Sequence, residues 1–307
     1  LRVEPEPGEF DEGTDFFGNR TARALIAAPH ESLRVHAEST VSVAPREQRA
    51  LAPAQTAWDE LRNRMRQPGQ RALTEAAGFL YESPHVETWR ELAFYAAQSF
   101  PPLRGVLDAA MDLNQRIHAD FKFDKTATSV STPLREVVKR RRGVCQDFAH
   151  LMIGALRSLG LPARYVSGYL LTEPPPGRPR LVGADASHAW VGVYCGEDAG
   201  WVDLDPTNNC VVDDEHVTLG WGRDFSDVTP MRGVILGGGE QELAVRAEAG
   251  LRVGGQVAEE LDVRRFVEKL HGLEQRLAAA LAQPVERLLP GPGPGGRAAG
   301  QDFHAGV

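Results

Sequence analysis

Cysteine is scarce in this 307-residue chain: Cys145, Cys195 and Cys210 are the only three. An odd count without CxxC spacing excludes a disulfide framework, and a zinc cluster would need ligands from elsewhere. A reducing, cytoplasmic setting is the expectation that follows. Also missing is any apolar run near the ~20 residues of a membrane span, and no signal-peptide pattern opens the chain. The first residue is Leu1 rather than Met, as in a fragment or a processed chain. Basic excess is lacking too: the net charge of −8 argues against nucleic acid as the main partner and aids solubility. Neither a membrane partner, a cofactor nor a metal is expected, and oligomeric state is not legible.

What is present fits a soluble globular protein, with room for one large domain or two ordinary ones. The first ~45 residues read as β. Leu33, Val35, Ala37, Ser39, Val41 and Val43 alternate onto one face, and Phe16-Phe17-Gly18-Asn19-Arg20 reads as a hairpin turn feeding a strand from Thr21 to Ala28. Two or three strands cannot bury a face alone, so this module is the remnant of a larger sandwich or packs on the rest of the chain. From Pro53 to Ala119 the pattern turns helical. Val106, Leu107, Ala110, Leu113, Asn114 and Ile117 form a core-facing stripe, and Trp58 and Trp89 read as packing residues.

The central block, from about Phe121 to Asn209, carries the chemistry. Phe148, Leu151, Met152, Ala155, Leu156 and Leu159 recur at helical spacing, with Gly160 as the stop. Counting back from Phe148 puts Cys145 in the first turn on the same inward face, where the helix dipole favours a thiolate. His150 falls about 200° round from Phe148, on the polar side, so it should not be the partner of Cys145. The preceding run Lys139-Arg140-Arg141-Arg142 is either a solvated helix end or a source of positive potential near the thiol.

Strand patterns follow at Ala163–Leu171, His188–Cys195 and Trp201–Asp205, with an exposed, mobile Pro-rich loop from Thr172 to Arg180. Alternation puts His188, Trp190, Gly192 and Tyr194 on one face and Cys195 on the other, which separates Cys195 from His188. Trp201, Asp203 and Asp205 share a face in the next strand, joined by a hairpin through Gly196 to Gly200. An acid therefore lies beside His188, but alternation does not choose between Asp203 and Asp205. Further strands are expected from Asp227 to Leu236 and from Gln241 to Val253. An amphipathic helix pattern runs from Val257 to Leu289, around Leu261, Phe266, Leu270, Leu273, Leu277 and Leu281. A Pro/Gly-rich stretch and a disordered end follow.

A cysteine alone is most often a small buried hydrophobe, and a single histidine a satisfied structural one. Together, a thiol at a helix start with His and Asp on neighbouring strands points to nucleophilic catalysis. The stretches Arg142-Gly143-Val144-Cys145-Gln146-Asp147-Phe148-Ala149-His150-Leu151, Gly160-Leu161-Pro162-Ala163-Arg164-Tyr165-Val166-Ser167-Gly168-Tyr169, Ala186-Ser187-His188-Ala189-Trp190 and Gly200-Trp201-Val202-Asp203-Leu204-Asp205-Pro206-Thr207-Asn208 closely resemble the motifs of bacterial transglutaminase-like proteins. The similarity extends from about Phe10 to Val253, including Gly233-Val234-Ile235-Leu236-Gly237-Gly238-Gly239.

That resemblance implies an α+β fold: a papain-like core in which a helix carrying the cysteine packs on an antiparallel sheet. A partial β-sandwich over 1–47 precedes the catalytic domain over 48–253, and a C-terminal helix and flexible tail over 254–307 follow. Carried over residue by residue, Cys145 is the nucleophile and His188 the general base and acid. Asp205 orients the imidazole, leaving Asp203 as a flanking residue. Gln146, Asp147, Ser187, Trp190 and Trp201 are candidates for the cleft, with packing as the other reading of the two tryptophans. The implied activity is acyl transfer on peptide or isopeptide bonds of a peptide or protein substrate, with hydrolysis favoured over transamidation. A catalytically idle peptide-binding or assembly module is the rival from another class. A metal-dependent hydrolase finds no tight ligand pair in the spacing.

Overall fold

The computed structural model describes residues 1–41, 43, 56–67, 75–171, 181, 187–236, 248–252 and 256–262, all of them within one unit. The core is built around the cysteine helix. Among the described residues, the helices of seven or more residues that precede or flank it are α1 (Trp58–Met65), α2 (Arg90–Ala97), α3 (Val106–Asp120) and α4 (Leu134–Arg140). The cysteine helix itself, α5, spans Cys145–Ser158. No described helix is long and apolar enough to cross a membrane.

Helix α5 begins and ends for identifiable reasons. Asp147 reaches back one turn, and its Oδ2 accepts the Val144 N–H at 2.8 Å, satisfying a donor that the first turn leaves free. Gly143 is required beside it, because a Cβ there would lie 2.5 Å from that same oxygen. At the other end, Gly160 takes φ 78°. Its N–H donates to Arg157 O, while the Leu161 N–H donates to Leu156 O, the paired bonds of a Schellman stop. Between these ends the helix is covered on all sides. Strands β7 and β8 lie against one side, and α2, α3 and α4 against others. Leu151, Met152, Ile153 and Leu156 are wholly buried, so truncating any one to alanine would cost about 2–5 kcal/mol.

The main sheet is antiparallel, in the order β10-β9-β8-β7-β11. Its strands are β7 (Ala163–Leu170), β8 (Ser187–Tyr194), β9 (Trp201–Asp205), β10 (Cys210–Val211) and β11 (His216–Gly222). Register pairs Gly168 with His188, Gly192 with Asp203 and Cys210 with Asp205. The turn joining β8 to β9 carries Gly196 and Gly200, where expected. A short parallel pair, β5 (Lys122–Phe123) with β6 (Arg142–Gly143), leads into α5.

The N-terminal strands are β1 (Arg2–Glu4), β2 (Glu9–Thr14), β3 (Arg20–Leu25) and β4 (Arg34–Val41). The β2–β3 hairpin turns at Asp15–Asn19, and β3 stops short of the expected Ala28. Strand β4 is paired on both edges, in a sheet ordered β1-β4-β13-β12. Its later partners are β12 (Glu248–Arg252) and β13 (Gln256–Asp262).

Three expectations change. The helix expected from Val257 does not start there: Gln256–Asp262 is a strand paired from Val257↔Val41 to Asp262↔His36. The run Val257, Glu259, Leu261 fits period two as well as a helix, and the unpaired edge of β4 decides the outcome. Asp227–Leu236 forms no strand. A single 3₁₀ turn, Phe225–Asp227, is fixed by Asp224, whose side chain accepts the Ser226 N–H, and the edge position beside β7 belongs to β11, which the sequence reading did not foresee. His150, expected on a polar face, is 4% exposed, because loops as well as helices cover that side of α5. The Thr172–Arg180 loop, residues 241–247, the remaining C-terminal helix pattern and the tail lie outside the described residues.

Strand β11 is a sheet edge, and the N-terminal hairpin covers it. The Asn19 carboxamide behaves as a surrogate peptide: Nδ2 donates to Trp221 O at 2.7 Å and Oδ1 accepts the Trp221 N–H at 2.9 Å. Phe17 packs on Phe79 at 5.7 Å between ring centres.

Candidate active site

His188 is the second residue of strand β8 and Asp205 the last of β9, and the two side chains meet. His188 Nε2 lies 2.8 Å from Asp205 Oδ2, both groups out of contact with solvent. The carboxylate is unusually well supplied with donors. Its Oδ1 accepts the N–H groups of Thr207 (2.8 Å) and Asn208 (3.1 Å), while Oδ2 also accepts Asn208 Nδ2 at 2.7 Å. His216 Nε2 lies 3.3 Å from Oδ2 as well. The turn holding these donors is anchored from α3, where buried Asn114 donates to Asp205 O and His118 Nδ1 meets Thr207 O.

Burial alone would raise the Asp205 carboxyl, but His188 and His216 outweigh it and hold the group well below the usual carboxylate range. Burial alone would likewise depress His188. The charges of Asp205 and Cys145, with their hydrogen bonds, raise it instead to about 10. The imidazole therefore stays protonated across physiological pH. With Nε2 committed to Asp205, Nδ1 is the nitrogen left for the thiol. Nδ1 is buried and makes no bond of standard length among the described residues, a looseness usual before substrate binds.

Cys145 is half-buried at the start of α5, inward as its helical phase requires. Cys195 is buried and its thiol points at Val193 O. Cys210 is half-buried, and burial together with Asp205, Glu215 and Asp213 pushes its thiol up to about 12. Asp203 lies farther along the strand, opposite Gly192 and 3.9 Å from Arg164, whose guanidinium lies between the Trp201 and Trp221 rings.

The cleft candidates divide. Gln146 is half-buried and Ser187 exposed, so both remain open to a ligand. Asp147 does not line a cleft: it is 5% exposed, caps α5 and accepts the Thr128 hydroxyl at 2.6 Å. Burial pushes its carboxyl up against the pull of those bonds. Trp190 is wholly buried beneath His188 and His216, at 6.1 and 5.2 Å between ring centres, and is a packing residue. Trp201 packs on Phe79, Tyr194 and Arg164. The basic run ends α4 in solvent, with Lys139 and Arg140 paired to Glu136 and Arg142 to Asp124. Such exposed pairs contribute little.

Two neighbours of the site were not foreseen. Asn208 stood in the quoted motif without a role. His216 lay in an unread strand, where the alternating His216-Val217-Thr218-Leu219 was the available clue.

The chain is similar to known proteins in sequence and in fold. The family described as the transglutaminase-like superfamily matches residues 95–206, and the bacterial transglutaminase-like N-terminal region matches residues 1–42. An uncharacterised protein of Mycobacterium tuberculosis is 39% identical over 248 residues, covering 79% of this chain and 77% of its own. A protein-glutamine gamma-glutamyltransferase of Pseudomonas aeruginosa is 43% identical over 68 residues, 22% of this chain and 10% of its own. In fold, a crystal structure from Cytophaga hutchinsonii, described as a candidate cysteine protease, covers 74% of this chain and 71% of its own with a TM-score of 0.50 at 22% identity. The chain belongs to the transglutaminase-like superfamily, with the bacterial N-terminal region of that family ahead of its core.

Proposed function

We propose that this protein is a cysteine-dependent acyl-transfer enzyme acting on peptide or isopeptide amide bonds, and that water is its usual acceptor. The observation that supports this most is the buried His188–Asp205 pair acting on a thiol at a helix N-terminus.

In the proposed cycle Cys145 Sγ, as thiolate, attacks the amide carbonyl. The new C–S bond moves the carbonyl electron pair onto oxygen, and the Cys145 N–H, free at the helix start, is one donor to that oxyanion. The C–N bond then breaks as His188 delivers its Nδ1 proton to the leaving nitrogen, giving a thioester and a free amine. Water next loses a proton to His188 and attacks the thioester, releasing the acid and regenerating the thiolate–imidazolium pair. A primary amine in place of water would give transamidation by the same steps. Asp205 takes no proton; it holds the ring and compensates the imidazolium charge.

Profiling wild type and Cys145→Ala on peptide and isopeptide libraries, with and without an added primary amine, tests the reading. Release of free acid that disappears in Cys145→Ala supports hydrolysis. Amine incorporation in preference to acid replaces it with transamidation. Full activity in Cys145→Ala would overturn the cysteine mechanism, and no activity in wild type would leave the rival idle module as the better account.

A further inference from the structure

A second cluster of ligating side chains borders the proposed triad. Asp205, Cys210 and His216 each offer one atom, and the three atoms lie within 4.8 Å of one another. Their placement follows from the sheet: Cys210 is registered opposite Asp205 across β10 and β9, and His216 opens β11. Three atoms within 4.8 Å of one another have a point no more than about 2.8 Å (4.8/√3) from each, against the ~2.0–2.3 Å of zinc bonds to oxygen, nitrogen and sulfur. A shift of several tenths of an ångström in the side chains closes that gap.

Two further observations favour a cation here. His216 is 4% exposed, and its Nδ1 is buried without a hydrogen-bond partner among the described residues. Beside Trp190 the chain keeps an imidazole rather than a hydrocarbon ring, and its Nε2 faces Asp205 Oδ2, which sets one buried ligating nitrogen in the cluster. The connection from Cys210 to His216 also carries Asp213, Asp214 and Glu215, which add negative potential around the cluster.

We infer that Asp205, Cys210 and His216 form a binding site for a borderline-soft divalent cation of the zinc type, placed so that occupancy withdraws Asp205 from His188. Thiolate, imidazole and carboxylate together select zinc-like ions over magnesium or calcium. On binding, the Cys210 thiol gives its proton to solvent and a sulfur–metal bond forms. His216 supplies the Nε2 lone pair, its proton residing on Nδ1. Asp205 turns Oδ2 from its histidine partners to the metal, and water completes the tetrahedron. The ion is then a reversible off-switch, with Cys145 itself left unligated. The site does not depend on the proposed activity; only the inhibitory consequence rests on that reading.

Cobalt(II) is the probe, because a cobalt–thiolate bond gives a near-ultraviolet charge-transfer band independent of catalysis. Titration of the full chain is expected to give that band at one equivalent. It should persist in Cys145→Ser and disappear in Cys210→Ser, with His216→Gln as a second variant and far-ultraviolet dichroism confirming that each folds. A band lost in Cys145→Ser, a band retained in folded Cys210→Ser, or no band in wild type would overturn the inference. A band that follows this pattern in a protein without acyl-transfer activity would sustain the site and remove only the off-switch.

Discussion

His188 and His216 lean on the same oxygen, Asp205 Oδ2, at 2.8 and 3.3 Å. One carboxylate oxygen thus receives two imidazoles and the Asn208 amide, with two backbone donors on its twin. A buried anion so supplied stays ionised, and it keeps His188 protonated up to about 10.

The first prediction concerns that pair. In the metal-free enzyme, kcat/KM should hold into alkaline solution and fall with an apparent pKa of about 10 as His188 loses its proton. Asp205→Asn removes the charge that opposes burial. The limb should then move down toward the ordinary histidine value of ~6.5 or below, and kcat/KM should fall by about 10²–10⁴-fold. A pH–rate profile of both proteins decides it; an unmoved limb would detach Asp205 from His188. The stability contribution has the same sign: present in full below the unfolded histidine value and lost as pH rises through about 10.

A second titration runs the other way. Burial, and secondarily the electrostatic influence of His85, whose ring stacks on it at 5.4 Å, depress His150 to about 3. The folded chain refuses a proton that the unfolded chain accepts below ~6.5, so stability declines as pH falls from there toward about 3. His150→Gln keeps an acceptor for the Phe225 N–H, which His150 Nε2 now accepts at 3.2 Å. Urea midpoints at ~pH 7 and ~pH 4.5 should differ less in this variant than in wild type. Equal losses would assign the acid sensitivity to other groups.

Much of this was legible in the chain, for a local reason. Helical phase set the inward turn of Cys145, and period two placed His188 and the acids on one face. Those are properties of single elements. The choice of Asp205 over Asp203 needed the motif, since alternation treats both alike; in three dimensions Asp203 is drawn to Arg164. Long-range pairing was not legible. His216 reaches the site because β11 pairs with β7, and Val257 becomes strand because β4 has an open edge. His150 was misplaced because a helical wheel shows the apolar stripe but not what covers the opposite side. Here that cover offers polar partners: the His85 ring, the backbone N–H of Phe225 and the Asp224 turn.

The third prediction tests the N-terminal hairpin as a cover for the β11 edge. Asn19→Ala deletes both bonds to Trp221 and leaves its N–H and C=O facing the gap. The expected cost is about 1–3 kcal/mol, read as a lower urea midpoint with an unchanged slope. Hydrogen exchange should quicken at Trp221 before it does in α5. A variant as stable as wild type would make the hairpin a passive neighbour.

The most direct test of the central claim is the site and rate of alkylation by dilute iodoacetamide at ~pH 6, where ordinary thiols are unreactive. Cys195 is buried and the Cys210 thiol is pushed up to about 12. Peptide mapping should therefore find a single fast label on Cys145, slowed at least about tenfold in His188→Ala. Labelling of Cys145 no faster than of Cys195 or Cys210, or at a rate indifferent to His188, would contradict the account.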